Sequence, residues 1–209
     1  MALATYGDLK TSVAAWLARA DLTSVIPDFV TLTHADLMRD LRGHLRLQKR
    51  DTAFSIATEY VACPTDFLEL VSLIVTSTNP PYAINFLPND KQVDMNGATT
   101  GTPKWVAVVG ATNNTENFRF SPPPGQTLTA TIEYYARLTF FANDAATNWV
   151  LTDYPNLYLF GALYHGYTYL QNPQSADQMK SRYDQHLGQL IQAGRRARWG
   201  ANGMQVRPG

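Results

Sequence analysis

The chain has 209 residues, 17 basic and 17 acidic side chains and a hydrophobic fraction of 45%, which suits one globular domain, or one with an insertion, and excludes a disordered chain. Its lone cysteine, Cys63, excludes an internal disulfide and a thiolate zinc cluster and reads as a small buried hydrophobe. No stretch approaches the roughly 20 apolar residues of a membrane span, and no basic segment followed by an apolar run marks a signal peptide, so the sequence reads as a soluble protein made in a reducing cytoplasm, with no membrane partner.

Residues 5–19 are predicted to be helical. Thr5 can cap the first turn, with Asp8 in the position where a capping box usually has Glu or Gln. Tyr6, Leu9, Val13, Trp16 and Leu17 share a face at spacings of three and four. A second helix is expected from about Pro27, a residue suited to a first helical turn. Ile26, Val30, Thr33, Leu37 and Leu41 give its apolar stripe, and it should end near Gly43. Arg46, Lys49 and Arg50 then lead into an extended segment.

The period changes in the middle of the chain. Phe54, Ile56, Thr58 and Tyr60 alternate as a half-buried strand requires. Cys63-Pro64-Thr65-Asp66-Phe67 reads as a turn, and 70–75 is an apolar run of strand length. Asn79-Pro80-Pro81 interrupts it. Further strands are expected at 82–87, 104–109 and 118–120, with a short helix over 88–95 and a turn at Asn96-Gly97. Ser121-Pro122-Pro123-Pro124-Gly125 is a stiff loop, because proline fixes φ and donates no backbone hydrogen bond. The clearest strand is 127–135, where Leu128, Ala130, Ile132 and Tyr134 alternate with Thr129, Thr131 and Glu133.

Helical character returns with the segment 147–170. It begins like a helix entrance at Thr147-Asn148-Trp149 and continues as a helix apolar on too many sides; the third helix is predicted from Tyr154 to Leu170, with Pro155 near its first turn. Trp149, Tyr154, Tyr158, Phe160, Tyr164, Tyr167 and Tyr169 crowd into it, with Gly161, Ala162 and Gly166 between them. A surface helix buries one stripe, so this one needs cover from several directions, and a neighbouring subunit could supply part of it. Trp149, Tyr154, Tyr158, Phe160, Tyr164 and Tyr167 are therefore assigned to the core or to a subunit interface. Asn172-Pro173 breaks the helix. A last helix is predicted from Ser175 to about Arg198, with Met179, Tyr183, Leu187, Leu190 and Gly194 on one stripe.

These elements predict an α+β fold: a helical bundle built from both termini (1–50 and 139–198), a β-rich insertion (51–138) and a flexible tail (199–209). A single α+β domain with its helices stacked on the sheet is the other arrangement.

Zero net charge conceals a segregation. Residues 1–50 carry seven basic and five acidic side chains, net +2; residues 51–153 carry four and ten, net −6; residues 154–209 carry six and two, net +4. Such asymmetry bears on association rather than fold. Arg195, Arg196 and Arg198, with Trp199, end the last helix, where cations also suit the helix dipole. With Arg207 in the tail they form a candidate docking region that orders on a partner.

Catalytic motifs are missing from the sequence. There is no phosphate-binding Gly-rich loop, HExxH pair or Gly-x-Ser-x-Gly elbow. His34, His44, His165 and His186 are far apart, and neither Asp36 nor Asp40 gives His34 a metal-ligand spacing. His165 reads as a hydrogen-bonded packing residue. Asp66 and Glu69 read as polar turn residues rather than a catalytic carboxylate pair. No nucleic-acid-binding motif is present. No cofactor is expected.

The chain resembles the head-to-tail adaptor, or connector, proteins of tailed bacteriophages, mainly those of short-tailed phages. The resemblance is carried by Tyr6-Gly7-Asp8-Leu9, by Trp16-Leu17-Ala18-Arg19-Ala20-Asp21-Leu22 and by Ile26-Pro27-Asp28-Phe29-Val30. It continues in 37–41 with Arg39 and Arg42, and in Cys63-Pro64-Thr65-Asp66-Phe67-Leu68-Glu69, where the family often has Leu-Pro-x-Asp-Phe. Ile132-Glu133-Tyr134-Tyr135, Thr147-Asn148-Trp149-Val150-Leu151 and the run from Tyr154-Pro155-Asn156 to Leu163 carry it furthest. The resemblance implies a non-enzymatic virion protein: a ring of identical subunits, usually twelve, under the capsid portal. Such a ring extends the DNA channel without sequence-specific binding and gives tail nozzle or fibre proteins a platform. It further implies that the C-terminal region, with Arg195, Arg196, Arg198, Trp199 and Arg207, reaches the portal. The alternative is a tail-associated binding module whose β region, through Trp105, Tyr82 and Phe118, recognises a glycan or a tail-fibre protein.

Overall fold

The computed structural model describes residues 3–19, 21–95, 99–110 and 116–199. The chain divides into two compact units: Met1–Leu45 with Leu138–Gly209, and Arg46–Arg137.

The first unit is helical. Helix α1 (Tyr6–Leu17) starts where the sequence puts it. The Asp8 amide donates to Thr5 Oγ1 and the Thr5 amide donates to the Asp8 carboxylate, both at 3.2 Å, closing a capping box. Helix α2 (Ile26–Asp40) has Pro27 in its first turn and buries Ile26, Phe29, Val30, Thr33 and Leu37. The third helix forms where the sequence puts it, and a short helix precedes it. Helix α4 (Trp149–Asp153) is capped by the Asn148 side chain, which accepts from the Leu151 amide at 3.0 Å. Tyr154 leaves helical geometry (φ −135°, ψ 55°), and Pro155 opens α5 (Pro155–Tyr169). Helix α6 runs over Pro173–Trp199.

Helix α5 buries Leu157, Tyr158, Leu159, Phe160, Gly161, Ala162, Leu163 and Gly166. Its cover comes from within the chain: α1, α2, α4 and α6 all pack on it. The glycines make this possible. A β-carbon at Gly161 would lie 2.3 Å from Thr33 Cγ2 on α2, and one at Gly166 would lie 3.1 Å from Leu17 on α1. Small residues between the aromatics therefore mark close helix crossings.

The second unit is two sheets. Strands β1 (Gln48–Ile56), β8 (Leu128–Ala136), β3 (Phe67–Val75) and β4 (Tyr82–Ala83) form one, in that order. Strands β2 (Tyr60–Ala62), β7 (Glu116–Ser121), β6 (Trp105–Gly110) and β5 (Asn85–Phe86) form the other; its β5–β6 pair is parallel. Strand β8 pairs with β1 and β3 on its two edges and turns Leu128, Ala130, Ile132, Tyr134 and Ala136 into the core. Phe118 on β7 meets Phe54 and Phe67 edge-on, at 5.7 and 5.0 Å between ring centres, so both sheets share one apolar core. The alternation at Phe54, Ile56, Thr58 and Tyr60 spans a corner: β1 ends at Ile56 and Tyr60 begins a strand of the other sheet.

The expected architecture, a helical bundle built from both termini around a β-rich insertion, is corrected by these elements. Among the described residues six helices are spread along the chain, α3 (Asn89–Met95) lies between β5 and β6, and the strands form two separate four-stranded sheets. The fold is mixed α+β. The cause is local hydrogen bonding rather than position in the chain. The amides of Lys91 and Gln92 close a turn on the Pro88 carbonyl and start α3. The proline at 155 has no N–H with which to continue α4.

Candidate functional site

The aromatic residues singled out in the sequence do not converge on one pocket. Tyr158 is fully buried and Phe160 nearly so, whereas Trp149, Tyr154, Tyr164 and Tyr167 are half-buried. Trp149 stacks on His44 (5.6 Å, 14° between planes) and meets Tyr154 edge-on at 6.4 Å. Gly194 of α6 makes room for that histidine, since a β-carbon there would fall 2.3 Å from His44 Nε2. The Tyr167 hydroxyl donates to the Trp16 carbonyl at 3.5 Å. Phe160 stacks on His186 at 5.6 Å and lies under the Arg182 guanidinium. Trp16, 48% exposed, meets Phe160 edge-on at 6.2 Å. Trp16 together with exposed Leu32 and Tyr169 leaves the helical unit large apolar groups open to contact.

Tyr158 is the polar hub of this unit. Asn148 Nδ2 donates to its hydroxyl at 2.8 Å and to the Thr139 carbonyl at 3.0 Å. The same hydroxyl lies 2.9 Å from His34 Nδ1, where a neutral imidazole can accept the phenol proton. Burial pushes the Tyr158 phenol well above its ordinary value, against the hydrogen bond from Asn148. Burial likewise lowers the His34 imidazole below its ordinary 6.5, with a backbone hydrogen bond to Leu138 acting the other way. A group whose folded value is depressed stabilises the fold above its unfolded value and loses that contribution as pH falls through the folded one. The melting temperature is therefore expected to fall on acidification below about pH 6.5. His34→Gln keeps an acceptor for Tyr158 and should flatten that part of the profile. Parallel melting curves for the two proteins between pH 7.5 and 5 would show that His34 does not contribute.

A second polar chain crosses α2, α5 and α6. His165 Nε2 lies 3.0 Å from Asp36, which pairs with Arg39 at 3.0 Å. Arg39 also pairs with Asp40, which accepts from the Tyr183 hydroxyl at 3.2 Å. His165 is thus hydrogen-bonded among packed helices, as its sequence context predicts. Among the described residues no group of His, Cys, Asp and Glu has the arrangement of a metal site, and no helix is long and apolar enough to cross a membrane.

In the β unit Asp66 is held by two donors. Lys49 Nζ pairs with one of its oxygens and the Tyr134 hydroxyl donates to the other at 3.0 Å. Burial raises the Asp66 carboxyl, but these hydrogen bonds and the Lys49 charge outweigh it and leave the group below its ordinary value. It is an ionised turn anchor rather than a proton donor. Burial, with the nearby Glu116 charge, pushes the half-buried Cys63 thiol up to about 12, so it stays protonated and unreactive. Phe118 is fully buried, and Trp105 and Tyr82 are half-buried, so these three do not form an open stacking platform.

Arg195 and Arg196 are exposed near the C-terminal end of α6. The side chains of Arg198 and Trp199, and Arg207 with the rest of the tail, lie outside the described residues. The Tyr158 hub and the α2–α5–α6 polar chain join residues more than 120 positions apart. Asn148 before Trp149 signals a helix cap in the sequence, but nothing there gives its second role as donor to Tyr158.

A family model described as SU10 adaptor protein matches residues 4–207. No curated protein matches the chain.

Proposed function

Because the chain belongs to the SU10 adaptor protein family, we propose that it is a structural virion subunit, a phage head-to-tail adaptor that assembles as a ring of twelve between portal and tail. In this reading the ring continues the DNA channel, holds DNA without sequence-specific contacts and carries the tail nozzle or fibre proteins. The protein has no catalytic step. The observation that carries the proposal is the family match across nearly the whole chain.

The physical features are compatible with it. A ring needs heterologous contacts, in which one face of a subunit meets a different face of the next. The middle of helix α5 is covered by its own chain, so the contact falls to groups left open, among them Trp16, Leu32 and, at the end of α5, Tyr169. The half-buried Trp149, Tyr154, Tyr164 and Tyr167 are further candidates. Opposite charge on different segments adds a second complementary feature. A channel through which DNA must pass is served by few tight phosphate contacts, since these would hold it.

Electron microscopy of the purified protein with portal assemblies should show a twelve-subunit ring seated on the portal. A portal that recruits the tail equally well without this protein would overturn the reading. The exposed end of α6 is assigned to portal docking. Reversing Arg195 and Arg196 to Glu should weaken co-sedimentation with portal at least tenfold while lowering the melting temperature only slightly, through the lost complement to the helix dipole. Undiminished co-sedimentation would place the portal contact elsewhere.

A further inference from the structure

Helix α6 carries a stripe on its solvent side that neither packing nor portal docking uses. Gln174, Gln178, Arg182, Gln185, Gln189 and Gln192 are all exposed. At about 100° per residue these positions fall within an arc of about 80°, and they run about 27 Å along the helix. Between 174 and 192 the arc holds five amides and one cation, with no carboxylate and no apolar side chain. Among the described residues, none of the five amides is engaged in a side-chain hydrogen bond. The guanidinium of Arg182 is held 5.6 Å from the centre of the Phe160 ring. The two acids of the helix, Asp177 and Asp184, lie together on one flank outside the arc, and Asp184 pairs with Lys180 at 2.8 Å. From Gln185 to Trp199 the sequence has no acidic residue.

Such a surface is poorly made for another protein. The centre of a protein interface is apolar and rich in aromatics, and five buried amides would each need a partner. A nucleic-acid backbone asks for something else. Phosphate oxygens accept hydrogen bonds from Gln and Arg side chains whatever the base sequence. A stripe of Lys and Arg would hold the duplex tightly by releasing its counterions. An amide carries no charge and releases none, so its contacts can be exchanged for the next as the duplex slides. Carboxylates would repel the phosphates, and the arc has none. One turn of duplex rises roughly 34 Å, so the stripe follows most of a turn. We propose that the Gln174–Gln192 stripe of α6 lines the channel of the assembled ring and meets the phosphate backbone of the passing DNA. The proposal rests on the adaptor reading and assigns the wall of its channel. The stripe stops short of Arg195 and Arg196, which leaves that end of α6 to the portal.

The test uses DNA-filled particles assembled with the full chain. A benzophenone attached at Gln185→Cys or Gln189→Cys should join the protein to DNA on illumination. The label goes to the new thiol, because Cys63 is half-buried and stays protonated. The same label at Asp184→Cys, on the flank of the helix, should capture at least tenfold less DNA. Equal capture from the flank overturns the assignment of this face. Joining to a neighbouring protein chain instead of DNA makes the stripe a protein interface and also overturns it. Rings that form on the portal without DNA capture overturn this proposal alone, whereas rings absent from the portal overturn the adaptor reading and this proposal with it. A second variant reads passage itself. Replacing Gln178, Gln185, Gln189 and Gln192 by Lys, an equally good helix former, should leave the ring on the portal. It should slow DNA release at least tenfold at low salt, and the delay should fade as salt rises. Release at the parent rate at every salt concentration overturns the proposal.

Discussion

Gly161→Ala is expected to destabilise the helical unit by about 1–3 kcal/mol, the usual cost of overpacking a filled core, although alanine is the better helix former by about 1 kcal/mol. The new methyl carbon would sit 2.3 Å from Thr33 Cγ2, with Thr33 Oγ1 and Cβ at 3.1 and 3.2 Å. Thr33 is fully buried, and its hydroxyl donates to the Phe29 carbonyl at 2.8 Å, which fixes its rotamer. The clash is therefore relieved only by parting α2 from α5. The partner substitution provides the control. Thr33→Ser removes the offending methyl and keeps the hydroxyl, so the double variant should recover most of the loss in a denaturant titration. A single Gly161→Ala variant as stable as the parent would show that the two helices do not cross this closely.

Asn148→Ala should cost about 2–4 kcal/mol by combining two separate losses. The first is the cap of α4, worth about 0.5–2 kcal/mol, where Asn148 Oδ1 accepts from the Leu151 amide. The second is the buried donor shared by the Tyr158 hydroxyl and the Thr139 carbonyl. Leaving such groups without it costs about 1–3 kcal/mol. Asn148→Asp separates the two, because Asp caps as well as Asn but brings no donor. It should lose the second part only and, facing a phenol with no cation beside it, should grow less stable as pH rises. Equal losses for Ala and Asp would mean that the cap contributes nothing.

Local signals in the sequence reached the structure where one hydrogen bond or one face decides the outcome. Thr5 with Asp8, Pro27 and the alternation of 128–134 each mark an element that forms as expected. The pairing of strands was illegible, because β8 lies between β1 and β3, strands some 60 to 80 residues earlier. Periodicity also missed the corner between Ile56 and Tyr60, since a chain can change sheets without losing its alternation. The expectation of a terminal helical bundle failed for a related reason: it assigned helices by region, whereas α3 is nucleated by its own turn at Pro88. Excess hydrophobicity on α5 announced several covering partners. It could not say that all of the cover at Tyr158 comes from the same chain, because tight crossings at Gly161 and Gly166 depend on residues over 120 positions away. A cleft of about 280 Å³ lined by Phe67, Leu70, Phe86, Val108 and Glu116 was invisible, being assembled from positions 67 to 116 only when two sheets close on each other.

The register of β1 with β8 sets Gln48 opposite Tyr135, so the peptide enters and leaves the β unit through neighbouring positions of one ladder. In connectivity the 86 residues between them resemble an enlarged hairpin loop. Lengthening a closed loop costs little, about 0.6 kcal/mol for each doubling. Residues can thus be gained or lost at the turns of this excursion while its two ends stay a strand spacing apart. The architecture separates what is free to diverge from what has to be kept.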